Sequence, residues 1–197
     1  MKLLIQKLFL RFVRGRFWNR LLFPLLALIH FPWKKTIVKP YHIQRLRNGD
    51  MFFGNSPSMF SYLTWGDYTH VGIYDSKEDV IHEMTPLGME HTTVDDFMSR
   101  NCEVALARCP QFNPQYVESI LERVRSKKDA AYDKEFSFKE DSFYCSELIY
   151  LCDWQRRIKC STQDLLGLGW PYISPQGLLN AANVVVLREY KYRRPKA

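Results

Sequence analysis

The sequence predicts an α+β fold, a small and mainly antiparallel sheet packed against a few helices. Residues 71–74 (VGIY) and 80–84 (VIHEM) flank the polar stretch 75–79 and read as a β-hairpin. Two other stretches carry apolar residues at helical spacing: Val117, Ile120, Leu121 and Val124, then Tyr144, Leu148, Leu151 and Cys152. The 197-residue chain is 46% apolar and 25% charged, the composition of one folded domain with a real core.

The charge is unevenly spread. Residues 1–35 hold eight of the 28 Lys and Arg and no acid, which leaves 20 basic against 21 acidic residues elsewhere. A nucleic-acid-binding domain would carry its basic patch on the folded body, so no nucleic-acid partner is expected. The same segment interleaves Leu, Phe and Trp with its cations. Residues 21–33 form a run of 13 without Asp, Glu, Lys or Arg, broken by Pro24 and Pro32. A spanning helix needs about 20 apolar residues. Three roles compete: an in-plane membrane anchor, an uncleaved signal or short span, and a helix packed on the domain. The anchor is favoured, which makes a membrane surface the expected partner of residues 1–35.

The chain then divides into a basic hydrophobic segment (1–38), a domain (39–190) and a basic tail (191–197). Asn48-Gly49-Asp50 is a turn before a short buried strand at 51–53. Residues 55–68 are polar and aromatic without a clear period, and read as a loop. It fits equally as a substrate wall and as a cover for the core. Pro86-Leu87-Gly88 is a turn, with a further strand expected at 89–93. Thr93 caps a short helix at 94–99, and 104–107 is another strand. Asn113-Pro114 opens the longest helix, which ends in Arg125-Ser126-Lys127-Lys128. Residues 170–175 read as a loop, 176–182 as a short helix and 184–187 as a closing strand.

Five cysteines, an odd number without a C-x-x-C pair, suggest neither a disulfide framework nor a zinc ribbon. Cys102, Cys109, Cys152 and Cys160 read as structural, and a reducing compartment is favoured, on the cytoplasmic side of a membrane. No Gly-rich phosphate loop, H-E-x-x-H or calcium-loop pattern occurs, so neither cofactor nor metal ligand is assigned.

Cys145 stands apart by position. With Asp141 or Ser142 as N-cap, it falls in the first turn of the helix running to Cys152. Unpaired N–H groups and the positive dipole end favour an anion there, and a thiolate is the anion that benefits. Cys145 also fits as a small buried hydrophobe. His70 sits at the start of the 71–74 strand. A cysteine at a helix start with a histidine on a strand is the material of a cysteine hydrolase, where imidazole takes the thiol proton and returns it to the leaving group. Period-2 alternation puts Ile81 and Glu83 on one face and His82 and Met84 on the other. Glu83 or its rival His82 would accept the second ring N–H of His70.

The ordered pieces Gly49-Asp50-Met51-Phe52-Phe53, Thr69-His70-Val71-Gly72-Ile73-Tyr74, Val80-Ile81-His82-Glu83-Met84 and Tyr144-Cys145-Ser146-Glu147-Leu148-Ile149-Tyr150 resemble the permuted branch of the NlpC-like papain-fold hydrolases, the YiiX type. The likeness spans about residues 47–180. It implies a permuted papain-like fold in which the histidine precedes the cysteine. It also implies Cys145 as nucleophile, His70 as base and Glu83 as orienter. The expected activity is a hydrolase or acyl-transferase working through a thioester on a peptide, other amide or lipid ester. A non-catalytic membrane-attached binding module that keeps the fold is the alternative.

Overall fold

The computed structural model describes residues 46–55, 66–134, 136, 138, 141–164 and 171–191. The segment 1–38, most of the 55–68 loop and the tail after Lys191 fall outside the described residues, as does the domain boundary expected at 39. In chain order the elements are β1 (Met51–Asn55), β2 (His70–Asp75), β3 (Val80–Thr85), β4 (Gly88–Thr92), α1 (Val94–Arg100), β5 (Glu103–Arg108) and α2 (Pro114–Arg125). They continue with β6 (Ala131–Tyr132), β7 (Ser142–Phe143), α3 (Cys145–Cys152), β8 (Gln163–Asp164), β9 (Pro171–Tyr172), α4 (Pro175–Leu179) and β10 (Val185–Lys191). The main sheet has six strands in the order β10-β5-β1-β2-β3-β4, and every neighbouring pair is antiparallel.

Strand alternation gives this sheet two apolar faces. Met51, Phe53, Val71, Ile73, Met84, Ala105 and Ala107 pack on α2 and α3. Phe52, Tyr74, Ile81, Val104 and Leu106 pack on Phe97 and Met98 of α1. The larger helix forms as expected. Asn113 caps it by accepting from the Tyr116 N–H at 2.8 Å, and Pro114 opens it. Arg123 and Arg125 close it, where cations suit the dipole. Val117, Ile120, Leu121 and Val124 are its buried stripe.

The turn before β1 is pinned by Asp50. Its carboxylate accepts from Arg108 at 2.6 and 2.8 Å and from the Arg47 N–H at 2.9 Å. Gly49 has φ +81°, and a Cβ there would come within 2.9 Å of Val117, so only glycine fits this turn. Two expectations shift at the other end of the chain. Pro171–Tyr172 is a short strand rather than loop, because it pairs with Gln163–Asp164. The closing strand runs on to Lys191, held along the whole of β5 through a bulge between Val186 and Arg188. Among the described residues, no helix is long and apolar enough to cross a membrane.

Candidate active site

Cys145 is the first residue of α3, and the cap before it is Tyr144 rather than Asp141 or Ser142. The correction has a local cause. Ser142 and Phe143 are extended and pair in parallel with Ala131 and Tyr132, so the chain cannot turn into a helix until Tyr144. No Ser, Thr, Asp or Asn side chain caps the start. Instead the Glu147 carboxylate reaches back from inside the helix and accepts the Tyr144 N–H at 3.1 Å. Two further bonds tie the start to the segment after β9: Ser146 Oγ donates to the Ile173 carbonyl at 2.7 Å, and the Ile173 N–H donates to the Tyr144 hydroxyl at 3.0 Å. Cys145 therefore sits on a rigid mount, and only 6% of it is exposed. The helix is buried on more than one stripe, since Ser146, Glu147 and Ile149 are buried along with Tyr144, Leu148 and Cys152.

His70 opens β2 and meets both partners. Its Nε2 lies 2.6 Å from Glu83 Oε2, and the Cys145 sulfur is near enough to act on the charge of its ring. Register explains the first contact. Gly72 stands directly opposite Glu83, and a Cβ on Gly72 would approach the Glu83 Cβ to 3.3 Å. Without that Cβ, the Glu83 side chain lies across β2 and reaches His70 two residues away. The rival His82 pairs with Ile73 and faces the opposite side of the sheet, where its Nε2 lies 3.1 Å from Asp75 Oδ2.

Three groups that sequence reasoning missed complete the setting. Thr92 and Arg100 both donate to Glu83 Oε1, and the Phe97 ring stacks on His70 at 5.9 Å between centroids. Thr92 had a signal: the turn at Pro86–Gly88 sets the β3–β4 register, which pairs Thr92 with Ile81 on the face that Glu83 shares. Arg100 and Phe97 come from α1, whose docking on that face no local pattern announces.

The electrostatics follow from these contacts. Burial pulls the His70 imidazole down, but the Cys145 sulfur, then Glu83, outweigh it and carry the group up to about 10. Burial pushes Glu83 up, but His70, Arg100 and Thr92 hold it down at about 2. His70 is thus a cation at neutral pH, held between a carboxylate and a sulfur. Burial, then the nearby Cys145 sulfur, push the Tyr172 and Tyr132 phenols up, so both keep their protons beside that sulfur. Phe136 packs on both Tyr132 and Tyr172, at 6.5 and 5.7 Å between centroids.

A second polar cluster lies on the α2 and α3 face of the hairpin. His82 and His91 stand directly opposite each other on β3 and β4, and Glu78 from the β2–β3 turn approaches both. One ligand atom from each of the three falls within 4.8 Å of the others.

Over residues 45–179 the sequence matches the family described as permuted papain-like amidase enzyme, YaeF/YiiX, C92 family. No curated protein matches the chain. Among solved structures, the fold is similar to that reported as the crystal structure of metalloprotein yiiX from Escherichia coli O157:H7, with a TM-score of 0.66 and 17% identity. That match covers 76% of this chain and 100% of the other.

Proposed function

Because the chain belongs to the permuted papain-like amidases of the YaeF/YiiX, C92 family, an enzyme family acting on amide or peptide-like bonds, we propose that it cleaves such a bond through a thioester on Cys145. The observation that carries the proposal is the placement of His70, hydrogen-bonded to Glu83 and near the sulfur of a residue that opens a helix. The proton shared by Cys145 and His70 rests on the imidazole, and the sulfur attacks the carbonyl carbon. The carbonyl electron pair moves onto oxygen, where the N–H groups of the first turn of α3 offer donors. The oxyanion collapses, the C–N bond breaks, and His70 Nδ1–H, on the ring nitrogen not held by Glu83, protonates the departing amine. Water, deprotonated by His70, then attacks the thioester, and the sulfur leaves. Glu83 orients the ring throughout and stabilises its cationic form. Acyl transfer follows the same path with an amine or alcohol in place of water.

The test is a panel of amide and ester substrates, from cell-wall peptides to acyl lipids, assayed with the full chain and with Cys145→Ala. Turnover that survives in the variant, or that a chelator abolishes in the unmodified protein, would point to a metal-activated water instead.

We also propose that residues 1–35 attach the enzyme to an anionic membrane surface and leave the chemistry untouched. The support is their eight cations and absence of acids, each cation worth about 1 kcal/mol near such a surface. Co-sedimentation with vesicles should then require anionic lipid and weaken with salt. Binding that ignores both would remove the proposal.

A further inference from the structure

The cluster of Glu78, His82 and His91 lies outside the machinery described above. We propose that it binds a divalent transition-metal ion, zinc being the one whose chemistry fits best. Two imidazoles and one carboxylate are borderline ligands that suit zinc better than calcium or magnesium, which take oxygen. A zinc ion holding three such ligands keeps its fourth position for water.

The scaffold is built for this purpose in three respects. First, the sheet register fixes the two imidazoles face to edge, with ring centroids 4.7 Å apart. Glu78 Oε2 lies 3.7 Å from His91 Nδ1 and 3.9 Å from His82 Nε2. Ligands around one zinc lie about 3.3 Å apart, given bond lengths near 2.0–2.2 Å. The closing movement falls to Glu78 and His91, which are both more than 40% exposed. Second, His82 is fully buried, so packing holds its ring in place while the two exposed partners close on it. Third, the Asp75 carboxylate, fully buried and held by Arg125 at 2.7 Å, lies 3.1 Å from the same Nε2 that faces Glu78, which places a further negative charge beside a bound cation.

Charge agrees with geometry. Asp75, Glu78 and Glu118 bring three negative charges to this end of the hairpin, and Arg125 and Lys77 bring two positive ones. The remaining negative charge favours a cation. The site ties the β2–β3 turn to β4 and faces away from the His70–Glu83 pair, so the ion is a clip on the sheet rather than part of the thiol chemistry.

Titration of the full, metal-stripped chain with zinc, followed by calorimetry and by the melting temperature, tests this directly. One ion should bind per chain and raise the melting temperature. His91→Ala should weaken binding by at least the about 10–100-fold that loss of an outer support costs, and Glu78→Gln should weaken it too. Both changes are at exposed positions, so each variant should fold. The free cysteines are the competing ligands, and cobalt substitution reports them. Spectra without a sulfur-to-metal charge-transfer band, and binding retained in Cys145→Ala, are expected. A sulfur band, or full-affinity binding in both His91→Ala and Glu78→Gln, would overturn the site. So would the absence of any binding.

Discussion

His70 and His82 occupy adjacent strands of one hairpin, and each stands beside a buried carboxylate, at 2.6 and 3.1 Å. Each carboxylate is also met by an arginine, Arg100 on Glu83 and Arg125 on Asp75. Yet the two imidazoles are driven in opposite directions. Burial and the facing His91 lower His82, whereas His70 rises to about 10 against its own burial. The carboxylate–arginine pair is common to both and so does not decide the proton. What differs is the third neighbour, an imidazole for His82 and the Cys145 sulfur for His70. A histidine in this sheet is raised only where a helix brings a sulfur beside it.

Removing the sulfur breaks the comparison most completely. Cys145→Ala should bring turnover to background while the fold persists, because one sulfur adds little packing. Circular dichroism and a substrate assay check both halves. The same variant should lower the midpoint at which the His70 ring titrates by NMR, because the sulfur is the largest influence raising it. An unmoved midpoint would mean that Glu83 alone sets the proton.

Exchanging the histidines sharpens the contrast. His70→Ala should slow turnover by about 10²–10⁴, the usual worth of a general acid–base. His82→Ala should leave turnover within a few-fold and instead cost about 1–3 kcal/mol of stability, because Asp75 loses a buried partner. Urea unfolding and steady-state rates separate the two outcomes. Glu83→Gln should fall between them, since it keeps a hydrogen-bond acceptor for His70 but gives up the charge.

The pH dependence carries a definite sign. The folded pKa of His70 lies above its ordinary value of 6.5. Its contribution to stability is therefore complete below about pH 6.5 and is lost as pH rises through about 10. Thermal unfolding across the alkaline range should show this decline in the natural chain and a flatter slope in His70→Gln. Turnover should fail on the same alkaline limb, where the imidazolium is no longer there to protonate the leaving amine.

Much of this arrangement is legible in the amino-acid sequence. The hairpin and its five-residue polar turn fix which strand residues face each other, and period-2 alternation separates Glu83 from His82. The choice between the two needs the register, and Gly72 is the residue that makes Glu83 the answer. The helix of Cys145 is legible from its apolar spacing, but its start is not. The short parallel pair of β6 and β7 keeps Ser142 and Phe143 extended, and that pairing joins residues eleven apart with no local mark. Arg100, Phe97, Tyr132 and Tyr172 escape for a similar reason, because they reach the site through the packing of elements distant in sequence. The His82–His91 pair escapes a motif search because its spacing belongs to a cross-strand register and not to a helix.

The thiol chemistry requires Cys145 to be activated by its surroundings, and its burial makes that testable. Cys145 is 6% exposed, while Cys102 and Cys160 are half-buried. Access alone would let iodoacetamide modify Cys102 and Cys160 first. Mass-spectrometric mapping of alkylation near neutral pH, in the natural chain and in His70→Ala, is the direct measurement. Cys145 should be modified well ahead of the other four, and the lead should vanish without His70. Modification of Cys102 and Cys160 ahead of Cys145, or a lead that survives the loss of His70, would contradict it.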